Sequence, residues 1–155
     1  MVQAFPEFVI QFLVFAPVAF GSTRDLRPPG TVMFVNCPFP TLEVDAVKTD
    51  PLVIGPGTLH PFAAKRFFNI SGMSFGAISE PAVRTLSNGA AKAGCWYNTG
   101  EGGLSPYHLE GGCDIVFQIG TAKYDVRDQD GGLSDERLAE VAAIDAVKMF
   151  EIKLS

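Results

Sequence analysis

Cations are scarce in this sequence and do not cluster. The 155 residues contain 12 Lys and Arg against 17 Asp and Glu, which gives a formal net charge of −5 at pH 7. A surface that binds nucleic acid needs a basic patch to neutralise phosphates. The composition therefore argues against nucleic acid as a partner.

Cysteine is also sparse. Cys37, Cys95 and Cys113 are the only three, and no two of them have the CxxC spacing. A disulfide framework or a self-contained zinc site is therefore not expected, and each cysteine is predicted to be a small buried residue in a reducing compartment. His60 and His108 have no metal-ligand partner at useful spacing, so both are interpreted as structural and no metal site is predicted.

No apolar run is long enough to cross a bilayer. Residues 8–20 are almost continuously apolar, but they include Gln11 and Pro17, and a span needs about 20 apolar residues. A signal peptide needs a cationic start, whereas the first cation here is Arg24. The run is predicted to be a buried strand or helix, with a membrane-surface role as the alternative, and the protein is predicted to be cytoplasmic.

Prolines divide the chain in two. The apolar share of 47% is enough for a core, but proline is dense from residue 21 to 61, and it fixes φ and removes a backbone donor. Residues 1–61 are therefore predicted to be an apolar segment followed by a Pro-rich, extended lead-in. Short strands are predicted there at 31–35 and 52–54.

The rest of the chain alternates between strand and helix signals. β-prone runs occupy residues 66–72, 95–98 and 147–153. One helix is predicted from an N-cap at Ser79 to a stop at Gly94, and a second is capped by Ser134, with Leu138, Val141 and Ala142 on one face. This alternation is typical of a parallel sheet or barrel in an α/β fold.

One segment stays ambiguous at this level. The β-branched residues at 114–120 favour a strand, but a short buried helix fits the same letters. If that segment is helical, residues 124–127 become the following strand.

The most informative stretch runs from residue 95 to 108 and contains the motif NTGEGG at residues 98–103. A single carboxylate, Glu101, stands there among three glycines. Glycine lets the backbone approach a flat or anionic ligand closely, because it has no Cβ, and polar groups at strand ends often carry the chemistry of α/β enzymes. Two interpretations remain open, a functional carboxylate and a tight turn with a solvated glutamate.

Three motifs in order resemble those of the FMN-binding domain of glutamate synthase. They are NISGMSFGAIS at residues 69–79, NTGEGG at 98–103 and FEIKLS at 150–155. The chain is more closely similar to the stand-alone FMN-binding glutamate synthase-like proteins of bacteria and archaea, from about residue 21 to its last residue. Three motifs at plausible spacing make the resemblance specific.

The resemblance implies a (β/α)8 TIM barrel, of which residues 62–155 would form the N-terminal half with about the first four strands. Similar proteins continue with a QGAKPG segment, flavin phosphate-binding loops and the cysteines of a three-iron cluster. This chain is therefore expected to be a fragment of a longer one and to hold no ligand of the iron–sulfur cluster. Asp125 stands where the family has glycine, so local strain or a shifted turn is expected there.

The implied activity is FMN-dependent reductive amination of 2-oxoglutarate to glutamate, in glutamate biosynthesis and nitrogen assimilation. The implied partners are 2-oxoglutarate, ammonia from glutamine, and a ferredoxin or NAD(P)H-linked electron donor. The implied catalytic residues are Glu101, which would orient ammonia or the imine, and Lys153, which would lie near the flavin N1/O2 edge, where reduction places negative charge. The implied FMN-binding residues are Met73, Ser74, Phe75, Gly76, Asn98, Thr99, Gln118 and Lys153.

Alternatives stand beside these assignments. On the sequence alone, Lys153 would be a solvated edge-strand lysine, and Gln118 fits a packed amide equally well. Another FMN-dependent barrel oxidoreductase, such as a 2-hydroxy acid oxidase or an IMP dehydrogenase-like enzyme, is one rival function, and a truncated non-catalytic fragment is the other. The isolated chain is expected to be inactive and not to bind FMN stoichiometrically, because an open half-barrel exposes unpaired strand edges.

Overall fold

The structure is a computed structural model of the chain, and it describes residues 29–30, 39, 42, 44 and 50–154. The chain divides into two units, residues 1–47 and 48–155, and the elements below all belong to the second. The predicted apolar element at 8–20, the predicted strand at 31–35 and Cys37 lie outside the described residues.

An antiparallel hairpin precedes the main sheet. It pairs β1 (Leu52–Ile54) with β2 (Phe62–Ala64), with Leu52 opposite Ala64 and Ile54 opposite Phe62. The strand predicted at 52–54 is thereby confirmed. Its partner was not predicted, because three residues after a proline give too short a pattern to recognise.

A three-stranded parallel sheet forms the centre of the unit. Its strands are β3 (Tyr97–Asn98), β4 (Ile115–Ile119) and β5 (Val147–Ile152), in the order β3-β4-β5. The ambiguous segment at 114–120 is thus a strand. Near the alternative strand at 124–127, Arg127 forms only an isolated antiparallel bridge with Leu133.

The strand predicted at 66–72 is wrong in extent, since a single parallel bridge between Ile70 and Tyr97 replaces it. Asn69 supplies the physical reason. Its Oδ1 accepts a hydrogen bond from the Trp96 N–H at 3.1 Å, and its Nδ2 donates to the Arg66 carbonyl at 3.0 Å. Hydrogen bonds of the Asn69 side chain therefore replace the backbone hydrogen bonds that would extend the strand before Ile70.

Helices connect the parallel strands. They are α1 (Phe75–Ala93), α2 (Pro106–Leu109) and α3 (Asp135–Ala142). Each lies between two consecutive segments of the sheet, as parallel pairing requires. The alternation predicted from the sequence is confirmed in the described residues, while closure into a (β/α)8 barrel stays a prediction. No helix among the described residues has the length and apolar character needed to cross a membrane.

The helix ends follow local signals, with one correction. Gly94 ends α1 with φ 68°, and the Ser134 hydroxyl accepts a hydrogen bond from the Arg137 N–H at the start of α3, as predicted. However, the helical element already begins after Ser74, and Ser79, the predicted N-cap, is the non-helical residue at which two helical segments meet, with φ 71° and ψ 168°. Pro81 explains the kink, because the residues before a proline cannot easily continue a helix.

The core lies where the sheet meets the helices. Leu138 and Val141 of α3 pack on it, whereas Ala142, predicted on the same face, is exposed. The buried apolar residues of this core are Val83, Ala90, Tyr97, Cys113, Ile115, Phe117, Ile119, Val126, Val141 and Val147. Cys113 is buried as predicted, and Cys95 is half-buried.

Candidate functional site

The carboxyl ends of the three parallel strands bring the predicted polar residues to one edge of the sheet. Asn98 ends β3, Gln118 is the penultimate residue of β4, and Lys153 directly follows β5. The ladder continues past the strand ends, because the Thr99 N–H donates to the Val116 carbonyl at 3.0 Å and the Lys153 N–H donates to the Ile119 carbonyl at 3.0 Å. In open α/β sheets this edge is where ligands bind.

Asn98 and Thr99 are buried and shape the turn that follows them. The Asn98 Oδ1 accepts a hydrogen bond from the Gly100 N–H at 2.9 Å. The Thr99 hydroxyl accepts from the Gln118 N–H at 3.1 Å and donates to the Gly100 carbonyl at 3.0 Å. Thr99 therefore ties β3 to β4 through its side chain, and its hydroxyl proton is already committed to the protein.

Two of the glycines in NTGEGG allow a close approach by the segment around Ser74. Gly100 has φ 67°, and a Cβ there would lie 2.8 Å from the Ser74 nitrogen. A Cβ at Gly102 would lie 2.9 Å from the Ser74 Cβ. The first two motifs singled out in the sequence are thus packed directly on each other, and larger residues at either glycine would force them apart.

Glu101 and Lys153 form an ion pair across the strand ends. The Lys153 Nζ lies 2.6 Å from the Glu101 Oε2, and the two side chains are 49% and 41% exposed. At this exposure an ion pair contributes about 0–1 kcal/mol to stability. The pair joins residues 52 positions apart. Glu101 itself lies in a turn, so its two interpretations, a functional carboxylate and a turn glutamate, both fit this geometry.

Gly120 provides the space in which the Glu101 side chain lies. A Cβ at Gly120 would be 2.5 Å from the Glu101 Oε1 and 2.8 Å from its Cβ. Sequence reasoning missed this glycine, because nothing in the local pattern shows which side chain folds over it.

Gln118 is held by a carboxylate that sequence reasoning also missed. Its Nε2 donates a hydrogen bond to the Glu151 Oε1. Glu151 precedes Lys153 by two positions at the end of β5, so the period of a strand, in which alternate residues share a face, could have indicated it. A Cβ at Gly72 would lie 3.2 Å from both the Asn98 Oδ1 and the Gln118 amide, which places these two amides together over the glycine.

The segment Met73 to Gly76 enters α1 beside this edge. The Met73 N–H donates to the Asn98 carbonyl at 3.3 Å. The Met73 carbonyl accepts from the Tyr97 hydroxyl at 3.2 Å and lies 3.2 Å from the His108 Nε2. Phe75 is exposed and stacks on Tyr107 with ring centroids 5.3 Å apart.

Tyr97 and His108 are fully buried and were not identified as site residues from the sequence. Burial raises the pKa of Tyr97 to about 12 and lowers the pKa of His108, against a smaller opposing effect of its hydrogen bond to the Met73 backbone. Both groups are therefore neutral near pH 7. The structural role predicted for His108 is consistent with this burial.

Asp125 adopts the strained conformation that its departure from glycine predicted. Its φ is 66°, and its Oδ2 accepts a hydrogen bond from the Leu104 N–H at 2.6 Å. Its carboxylate also lies against Gly103, whose own φ is 82°. The turn after β4 is thereby fastened to the end of the NTGEGG loop.

No group of three or more His, Cys, Asp or Glu side chains within the described residues could hold a metal ion. The polar edge formed by Glu101, Gln118, Glu151 and Lys153 instead offers carboxylates, an amide and one ammonium. In the structure these groups pair with one another, Gln118 with Glu151 and Lys153 with Glu101; side chains of these types can also bind an organic ligand through hydrogen bonds and charge.

Comparisons with known proteins give the family. The family model described as the conserved region in glutamate synthase matches residues 33–155. A glutamate synthase large subunit-like protein of Bacillus subtilis is 47% identical over 119 residues, which cover 70% of this chain and 23% of that protein. No solved structure matches significantly.

Two further relatives agree over a shorter stretch. An archaeal-type glutamate synthase [NADPH] of Dehalococcoides mccartyi is 37% identical over 46% of this chain and 14% of that protein. A glutamate synthase large subunit-like protein of Rhizobium meliloti is 34% identical over 45% of this chain and 16% of that protein. The chain therefore spans less than a quarter of the length of these relatives. It belongs to the family defined by the conserved region in glutamate synthase, as the resemblance of its three motifs predicted.

Proposed function

We propose that this chain is part of an FMN-dependent, glutamate synthase-like oxidoreductase that aminates 2-oxoglutarate reductively to glutamate. Family membership supports the general class. The observation that carries the proposal is the ion pair between Glu101 and Lys153 at the carboxyl ends of the parallel strands. That pair joins a proton acceptor and a cation at the edge of the sheet where α/β enzymes bind ligands.

The residues at this edge fit a flavin. The amides of Asn98 and Gln118 meet over Gly72, where no Cβ intervenes. They would hold FMN together with Lys153 and the backbone from Met73 to Gly76. When bound and reduced by the electron donor, FMN would supply the hydride that converts the imine of ammonia and 2-oxoglutarate to glutamate.

Lys153 would place its ammonium at the flavin N1/O2 edge. A fixed positive charge there stabilises the negative charge that reduction creates. In the structure this ammonium is bound by Glu101, and the Lys153 side chain is about half exposed. Lys153 thereby acts on the electrostatics of the reaction without itself transferring a proton.

Glu101 would act on the nitrogen of the substrate. Its Oε2 binds Lys153 at 2.6 Å, while its Oε1 lies over Gly120. A carboxylate in this position accepts the proton that ammonia releases as it adds to the 2-oxo carbon, and returns a proton when water leaves. The ammonium of Lys153 keeps the carboxylate at a fixed place during both transfers.

The test replaces Glu101 by glutamine in the full-length protein. Size and flavin content should be retained, while glutamate formation should fall by about 10²–10⁴-fold, the usual contribution of a positioned acid–base group. Glu110→Gln is the matched control, because Glu110 also forms an ion pair, with Arg84 at 2.8 Å, and its side chain is 37% exposed. An unchanged turnover of the Glu101 variant with FMN fully bound would refute the proposal.

The electron donor is proposed by analogy with a relative. The name of the Dehalococcoides protein includes NADPH, so we infer a nicotinamide-linked donor for this protein. Ferredoxin is the alternative, and parallel assays with NADPH and reduced ferredoxin distinguish the two.

A further inference from the structure

A carbonyl oxygen in the proposed flavin-binding segment is held by two buried side chains. The Met73 carbonyl lies 3.2 Å from the Tyr97 hydroxyl and 3.2 Å from the His108 Nε2. Both side chains have no exposed surface, and their rings are in contact, with centroids 4.9 Å apart. One hydrogen-bond partner is enough to satisfy a buried backbone carbonyl, whereas this carbonyl has two.

The hydrogen bonds of His108 determine which nitrogen carries its proton. The Ser105 N–H donates to the Nδ1 at 3.1 Å, so the Nδ1 presents a lone pair. A neutral imidazole then carries its proton on the Nε2, which donates to the Met73 carbonyl. His108 thus completes a capping box with Ser105 at the start of α2 and reaches with its other nitrogen to a residue 35 positions earlier.

This arrangement fixes the orientation of the next peptide group. The peptide bond between Met73 and Ser74 is trans, so its C=O and N–H point in opposite directions. Since the carbonyl points to buried side chains, the Ser74 N–H points in the opposite direction. Gly100 packs beside the Ser74 nitrogen, and a Cβ on that glycine would lie 2.8 Å from it. Ser74 itself is half-buried, so an N–H directed away from the core there can donate to a bound ligand.

We propose that His108 and Tyr97 are positioning residues, which orient the Met73–Ser74 peptide so that its N–H faces the cofactor. This inference rests on the proposed flavin site. Neither side chain touches the cofactor in this scheme, and each acts through the Met73 carbonyl. The two residues connect α2 and β3 to the segment that enters α1, so the loop after β3 and the segment around Ser74 are held as one unit.

The experiment uses the full-length protein with its flavin removed and added back. His108→Leu and Tyr97→Phe each delete one donor, and His108→Gln keeps an amide donor at about the reach of the Nε2. We expect the dissociation constant for FMN to rise by about threefold to tenfold in the first two variants, the effect of one hydrogen bond, and to recover largely in the glutamine variant. Amide hydrogen exchange of residues 74–78 should rise in parallel.

Val141→Ala controls for a general loss of core packing, since Val141 is a buried residue of α3 in the same core and forms no hydrogen bond with the Met73 carbonyl. The inference is overturned if His108→Leu leaves exchange at 74–78 unchanged, or if its FMN affinity falls no more than that of Val141→Ala. If the wild-type protein binds no FMN at all, the proposed function fails. In that case exchange at 74–78 still reports separately whether the two side chains order the segment.

Discussion

Replacing Gly120 by alanine is the sharpest way to displace Glu101 without touching it. Gly120 follows β4, and its φ is outside the left-handed region, so the backbone accepts alanine without strain. The added methyl group would meet only the Glu101 side chain among its three nearest atoms. The substitution therefore tests the position of the carboxylate while leaving its chemistry intact.

The distances give the size of the displacement. Ordinary van der Waals contact of a Cβ begins at about 3.4 Å, whereas the new methyl group would lie 2.5 Å from the Glu101 Oε1 and 2.8 Å from its Cβ. The side chain must therefore retreat by about 0.6–0.9 Å. A misplacement of about 1 Å can reduce an enzymatic rate by roughly 10²-fold. The weakened ion pair with Lys153 and the local crowding should together cost about 1–3 kcal/mol of stability.

Two assays separate these effects. Steady-state glutamate formation should show kcat/KM lower by about 10²-fold, while flavin absorbance and thermal unfolding show a bound cofactor and a nearly normal fold. Gly89→Ala is the control, because nothing lies within 4 Å of a Cβ at that position in α1, and it should leave kcat/KM unchanged. Full activity of the Gly120 variant would mean that the position of Glu101 does not matter for the reaction.

Three further predictions address stability, ionisation and redox chemistry. Ser79→Gly should stabilise the fold by about 1 kcal/mol. Relief of a strained φ of 71° is worth roughly 1–3 kcal/mol, and the greater conformational entropy of glycine in the unfolded chain offsets about 0.5–1 kcal/mol of that gain. Ser79→Ala keeps the strain, so thermal unfolding should show no gain in its stability. Burial raises the pKa of Tyr97 from 10.0 to about 12, so its contribution is complete below pH 10 and about 3 kcal/mol of stability should be lost as the pH rises towards 12. Urea titrations should show this alkaline loss reduced in Tyr97→Phe, and an identical loss in both proteins would contradict the assignment. Lys153→Met should lower the two-electron potential of bound flavin by about 30 mV, equivalent to ~1.4 kcal/mol. In a Glu101→Gln background the same substitution should lower the potential by more, because Glu101 no longer offsets the charge of the ammonium. A spectroelectrochemical titration that finds no shift would place Lys153 away from the flavin.

The fold could be predicted wherever the signal is local. Gly94 and Ser134 mark helix ends through their own conformations or hydrogen bonds within three residues, and both were identified. The predicted strand before α1 failed because the Asn69 side chain binds Trp96, 27 positions away, in place of the backbone. Ser79 does precede a helical segment, as predicted, but the helical residues from Phe75 that come before it were not predicted.

The polar residues of the candidate site could be predicted from the sequence, but the residues that hold them in place could not. Asn98, Gln118 and Lys153 lie at strand ends, at one edge of the sheet, where the strand–helix alternation predicted them; their roles in binding stay predictions. His108 matters through its contact with Met73, and Gly120 through its contact with Glu101. No spacing rule in the sequence links the members of either pair. A buried histidine and a glycine after a strand have many ordinary explanations, so only the three-dimensional arrangement distinguishes these two.

The parallel order of the sheet also affects how the sheet forms while the chain is being synthesised. β4 is the central strand and almost wholly buried, yet its partner β5 begins about 30 residues later. At 5–20 residues per second, the ribosome needs about 2–6 s to deliver that partner. Throughout this interval the N–H and C=O groups on one edge of β4 can bond only to water or to another nascent chain. The speed of translation between β4 and β5, and the chaperones present on the ribosome, should therefore affect the yield of folded protein.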